Sequence, residues 1–135
     1  SDLLLRTLIE EYQDLIAFKE ITLSITEKSP FSVQMNKDLA VILLSNLLRN
    51  AIKYTYPKGK IQIEIDKHVF SIANEGKPTP LDSDKIFKRF HKGEQDSTST
   101  GLGLAIVKSI VDLYQHIRLQ YVYKEEKHTF LIFNF

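Results

Sequence analysis

The sequence predicts an α+β fold: a two-layer sandwich in which a mixed β-sheet is packed on one face by three helices. Three observations carry this. Apolar residues recur at helical spacing in three separate stretches, and two-residue alternation marks strands between them. The order of elements is helix, strand, helix, hairpin, long loop, helix, hairpin, which suits a sheet with helices on one side. With 135 residues, 43% of them hydrophobic, the chain can build one domain, 1–135, around a real core.

Each element has its own justification. Asp2 is placed to cap a first helix over about residues 2–19, where Leu5, Leu8, Tyr12, Leu15 and Ile16 share a face. Ile21, Leu23 and Ile25 then alternate with polar residues, as in a half-buried strand. Pro30 interrupts the chain. Asn36 or Asp38 caps a second helix through about Tyr54, which Pro57 and Gly59 terminate. Ile61, Ile63 and Ile65 alternate in the next strand, and Phe70 and Ile72 follow a turn at residues 66–68. Residues 75–100 read as loop, with one short helix at about 84–90 that Ser83 can cap. A loop of 26 residues in so small a domain points to function. A helix over about 102–114 and two strands, near 118–123 and 129–135, complete the chain.

Composition removes several function classes. The 18 basic and 17 acidic residues nearly cancel, giving no electrostatic case for nucleic acid or membrane contact. The lack of cysteine excludes disulfides and thiolate metal sites. No apolar run reaches the roughly 18 residues of a membrane span, and the acidic, amphipathic N-terminus is not a signal peptide.

Two clusters carry the chemistry. In "STSTGLGLAIVKSI" (97–110) a glycine pair opens a helix. A P-loop needs glycine before Lys-Ser, but Val107 precedes Lys108 and Ser109. A dinucleotide fingerprint needs a third small residue, but Ile106 stands there and no strand precedes it. What remains is either an ordinary glycine hinge or a helix N-terminus whose bare amides suit an anion. Upstream, Asn46, Asn50 and Lys53 fall on one face of an otherwise apolar helix. An asparagine oxygen suits Mg²⁺ that is otherwise held by phosphates and water, and a lysine one turn on can reach those phosphates. The competing account is a narrow solvated face continuing from Gln34 and Lys37.

Four ordered segments then resemble a family. "NLLRNAIKYT" looks like the N box of bacterial two-component sensor histidine kinases, and "NEGKP" like a modified G1 box. "IFKRFHKG" looks like the F box and "STGLGLAIVKSI" like the G2 box, and the similarity covers nearly the whole chain. The resemblance implies the catalytic and ATP-binding domain, with the Bergerat fold shared with gyrase and related ATPases. It implies ATP and Mg²⁺ as cofactors. Asn50 would bind the metal, with Asn46, Asn50 and Lys53 as the catalytic set. Lys53 would contact phosphates and Tyr54 would pack near the adenine. Asn74 would face the adenine amino group, and Gly76 would make room for the base. Arg89 and Lys92 resemble cations of a lid, residues 77–100, that orders over the nucleotide. Gly101, Leu102, Gly103 and Leu104 resemble the turn that wraps the triphosphate. Thr129 matches a strand residue supporting the adenine contact. Ile86, Phe87 and Phe90 are left to pack on the core or touch the acceptor domain.

The implied reaction is transfer of the γ-phosphoryl group to a histidine on the parent's own dimerisation and phosphoacceptor domain, expected before Ser1. The implied further partner is a response regulator. The parent is expected to be a homodimer, with this domain cytoplasmic and the whole membrane-anchored. The family's ATPase relatives carry a glutamate where Asn46 stands. An amide cannot take a proton from water, so efficient hydrolysis is not expected. A serine kinase of the anti-sigma type shares the fold, but the F box argues for sensor kinases.

Some residues depart from the pattern. The G1 box is normally D-x-G-x-G, whereas this chain has Asn74, Gly76 and Pro78. Asparagine accepts a hydrogen bond without charge, so weaker or less selective adenine recognition is expected. Pro78 stiffens the start of the lid, and Ser99 stands where glycine is common. His68, His91, His116 and His128 all lack an H-box context and read as surface or structural residues. The alternative is therefore a degenerate module that binds nucleotide or a partner without phosphotransfer.

Overall fold

The computed structural model describes residues 2–82, 84–88 and 102–135, apart from the side chain of Asp2. The elements are α1 (Asp2–Glu11), α2 (Gln13–Phe18), β1 (Thr22–Glu27), α3 (Lys37–Tyr54), β2 (Lys60–Ile65), β3 (Val69–Glu75), α4 (Gly103–Val111), β4 (Ile117–Lys124) and β5 (Lys127–Asn134). The sheet order is β1–β2–β3–β5–β4. β1 and β2 run parallel and the other pairs antiparallel, so the sheet is mixed. The predicted α+β class stands.

The first helix departs from expectation by breaking at Tyr12. The Tyr12 amide bonds to the carbonyl of Ile9 at 3.0 Å, a three-residue step that interrupts the four-residue ladder. Its hydroxyl lies 3.2 Å from Ser45 Oγ. Beyond the break Ile16 is buried and Leu15 is exposed, although both belonged to the expected apolar face.

α3 begins where the sequence indicated. Asn36 Oδ1 accepts from the Leu39 amide at 3.1 Å, which satisfies one of the first free donors of the helix. Its inner face buries Leu43, Leu47, Leu48, Ala51 and Ile52 against the sheet and α4. The sheet answers with Ile61, Ile63, Ile65, Ile72, Phe130 and Ile132. Each such side chain contributes about 1.5–3 kcal/mol when fully buried. β4 and β5 are joined by Glu125 and Glu126, both at positive φ, as a two-residue hairpin turn of the right twist requires.

The segment expected as a short helix is a turn over its described residues. The Lys85 and Ile86 amides both donate to the Asp82 carbonyl at 3.0 Å, and Asp82 Oδ1 accepts from the Asp84 amide at 2.9 Å. Ile86 is buried, and Phe87 meets Phe130 edge-on at 6.1 Å. These two side chains therefore pack on the core. Ser83, Phe90, His91 and most of the expected lid lie outside the described residues. α4 is shorter than expected, since Leu113 and Tyr114 bond back three residues and tighten its end.

Candidate functional site

α3 is the spine of the site. Asn46 is buried, and its amide is satisfied within the helix: Nδ2 donates to the Ile42 carbonyl and Oδ1 accepts from Arg49 Nη2, both at 2.8 Å. Those bonds offset the cost of burying an amide. Asn50 is half-buried one turn further on. Lys53 is exposed, its Nζ 5.8 Å from the centre of the partly exposed Tyr54 ring. At 1.5 Å per residue, Asn46 and Tyr54 are about 12 Å apart along the axis, with Asn50 midway. Lys19 fixes the end of this helix. Its Nζ donates to the Ile52 carbonyl at 2.7 Å and the Lys53 carbonyl at 3.0 Å, where the helix dipole is negative. Partial burial holds the Lys19 ammonium below its ordinary pKa.

At the Tyr54 end, α3 meets the end of β3. The Tyr56 amide donates to the Glu75 carbonyl at 3.1 Å. A Cβ on Gly76 would stand 2.8 Å from the Tyr54 carbonyl oxygen and 3.2 Å from Asn74 Nδ2, so only glycine fits. Asn74 is 2% exposed, and its Nδ2 has no hydrogen-bond partner. A buried orphan donor is costly, and it suits a ligand edge rich in acceptors.

At the Asn46 end, α3 meets α4. A Cβ on Gly103 would lie 3.3 Å from Asn46 Oδ1. Leu102 precedes the helix without a side-chain cap, and the first turn carries no acid. An uncapped N-terminus with partial positive charge suits an anion. Leu102 and Leu104 are half-buried, and Leu104 packs on the core. Arg89, Lys92 and Gly101 lie outside the described residues.

The family model described as histidine kinase-, DNA gyrase B-, and HSP90-like ATPase matches residues 35–135. The chain belongs to this ATPase family. It is 42% identical over 96 residues to the heme sensor protein HssS of Staphylococcus aureus (strain JH9), a match covering 67% of this chain and 21% of HssS. The chain thus spans about a fifth of that relative's length. The catalytic domain of histidine kinase ThkA superposes with a TM-score of 0.85 at 25% identity, over 97% of this chain and 89% of that one. The same fold recurs in histidine kinase ThkA in complex with the response regulator protein TrrA, with TM-score 0.78 at 22% identity, over 97% and 39%. At the family level the domain is an ATP-binding domain of histidine kinases.

In this ATP-binding domain one residue expected at the base end is misplaced. Thr129 pairs with Ala73 and Val122 and shares the outer sheet face with Gln62, Ser71 and Leu131, away from the helices. The residue beside Asn74 is His128, directly opposite it in the β3–β5 register and 4% exposed. Strand parity explains the correction, because His128 shares the inner face with Phe130 and Ile132. The alternation of His128, Phe130 and Ile132 was the available signal. It was masked because Leu131 and Phe133 make the outer face apolar as well. His128 also lies within β5, not before it.

The donor set bears on the metal. Among the described residues no group of three or more His, Asp or Glu side chains gathers to hold an ion. Asn50 offers one neutral oxygen, which fits Mg²⁺ only if phosphates and water fill the remaining positions.

Proposed function

We propose that this domain binds Mg-ATP and transfers the γ-phosphoryl group to a histidine on a separate dimerisation domain in two-component signalling. One observation carries the reading: α3 is approached at Tyr54 by Gly76 and at Asn46 by Gly103, two close glycine contacts with Asn50 between them. The base would lie at the Gly76 end, against Tyr54 and Asn74. The triphosphate would lie toward Gly103, met by the first turn of α4 with Leu102 and Leu104, and by Gly101 before it. Lys53 would face phosphate oxygens, and Arg89 and Lys92 would add charge from the following segment. Asn50 would supply the protein's oxygen to Mg²⁺, whose contribution when bound is to neutralise phosphate charge.

Transfer then rests on positioning and electrostatics rather than on a protein base. The Asn46 amide is bound to Ile42 and Arg49 and cannot accept a proton from water. A histidine acceptor needs less help, since an imidazole nitrogen is a nucleophile near neutral pH. The proposed partners are the parent's own phosphoacceptor domain and a response regulator, in line with the ThkA–TrrA complex. We place the domain in the cytoplasm of a membrane-anchored, homodimeric sensor, without nucleic acid contacts. Among the described residues no helix is long and apolar enough to cross a membrane. The altered G1 box, with Asn74 and Pro78, supports a second reading, a module that binds nucleotide or a partner without phosphotransfer.

Calorimetric titration with ATP, with and without Mg²⁺, tests the first step. Saturable binding that weakens at least about tenfold on chelation supports it. Absence of ATP binding under both conditions would refute it.

A further inference from the structure

We propose that His128 and Tyr121 form a positioning pair that fastens the chain leaving β3 to the sheet and so sets the base end of the site. The proposal rests on the reading that this end receives the base. Three hydrogen bonds define it, and two of them have directions set by backbone groups. The Leu81 amide can only donate, so the Tyr121 hydroxyl oxygen accepts from it, at 3.0 Å. The Lys77 carbonyl can only accept, so His128 donates to it from Nε2, at 2.7 Å. In the neutral imidazole Nδ1 is then the acceptor, and the Tyr121 hydroxyl, 2.6 Å away, donates to it.

The relay ties both ends of the segment 77–81 to the two last strands. It also reaches the base end directly, since His128 Cδ2 lies 3.3 Å from where a Gly76 Cβ would stand. Tyr123, paired with His128 across the strands, packs against the ring at 4.9 Å between centroids. Both imidazole nitrogens are committed, so His128 has nothing left to offer a nucleobase. It acts through Gly76 and Lys77, by holding them beside Asn74 and the Tyr54 carbonyl.

The test combines amide hydrogen exchange at Leu81 with titrations of ATP and of inorganic tripolyphosphate. It uses the wild-type chain, Tyr121→Phe, His128→Ala and His128→Gln. In Tyr121→Phe and His128→Ala, Leu81 should exchange at least about fivefold faster. ATP affinity should fall about three- to tenfold while tripolyphosphate affinity holds. His128→Gln, which keeps a donor for Lys77, should bind ATP better than His128→Ala. Unchanged Leu81 exchange in Tyr121→Phe would overturn the proposal. So would equal losses for ATP and tripolyphosphate, which indicate general loosening. If wild-type chain binds no ATP, the nucleotide reading fails, and Leu81 exchange alone still decides whether the relay exists.

Discussion

Gly103, the first residue of α4, packs on Asn46 of α3 so closely that a Cβ would stand 3.3 Å from the amide oxygen. The contact joins the two clusters that stood apart in the sequence, the glycine stretch and the asparagine face. It also fixes the gap between an uncapped helix N-terminus and the helix carrying Asn50 and Lys53.

Gly103→Ala should therefore act on binding more than on folding. Alanine favours a helix, and the tight contact costs a few tenths of an ångström of adjustment, so stability should change by no more than about 1 kcal/mol. Mg-ATP affinity should fall roughly tenfold as α4 shifts from Asn46. Thermal unfolding and calorimetry separate the two effects. A folded variant with wild-type affinity would argue against a phosphate role for this helix end.

Asn74→Asp should trade stability for selectivity. A carboxylate at a site 2% exposed is penalised without a ligand, by about 1–3 kcal/mol of unfolding free energy. With ATP, the carboxylate accepts a charge-assisted bond from the adenine amino group. The native amide has both a donor and an acceptor, so it can also serve the guanine edge. Comparing ATP with GTP by calorimetry, discrimination should be small in the native chain and larger in Asn74→Asp. Strict ATP selectivity in the native chain would count against this account.

Lys19→Met should loosen the end of α3. It removes two hydrogen bonds to the Ile52 and Lys53 carbonyls, worth about 1–2 kcal/mol together with the dipole interaction. Urea unfolding should show that loss. Because Lys53 and Tyr54 sit on the loosened turn, ATP affinity should drop in the same variant.

Alkaline pH should weaken the contribution of Tyr121. Burial raises its hydroxyl pKa above the ordinary 10.0, and the Leu81 bond only partly offsets this. The unfolded chain ionises first, so the stabilisation is complete below the unfolded pKa and is lost as pH rises through the folded one. Tyr121→Phe cannot ionise. The stability advantage of native chain over Tyr121→Phe should shrink as pH passes from about 8 to about 11, followed by urea unfolding. A constant difference would mean the hydroxyl titrates as if unfolded.

Much of this was legible in the chain. The alternation of Ile61, Ile63 and Ile65, the Asn36 cap and the apolar stripe of α3 follow from local periodicity, and all three appear as expected. The break at Tyr12 was not legible, since nothing in the local periodicity marks it, and the Tyr12 hydroxyl meets Ser45, 33 residues away. The parallel pairing of β1 with β2 and the antiparallel pairing of β3 with β5 likewise depend on distant partners. At the site, Asn50, Lys53 and Gly103 were visible through their residue types on a helix. His128 was not, because its meaning lies in its register with Asn74 and its bond to Lys77, 51 residues away. A single-residue change of parity separated it from Thr129.

The most direct measurement is phosphotransfer. The chain is incubated with Mg²⁺ and γ-labelled ATP, together with the separately prepared dimerisation domain of its parent, alongside an Asn50→Ala control. The account predicts acid-labile label on a histidine of the acceptor domain, and at least about a hundredfold less with Asn50→Ala. An unlabelled acceptor, with ATP bound and the domain folded, would contradict it.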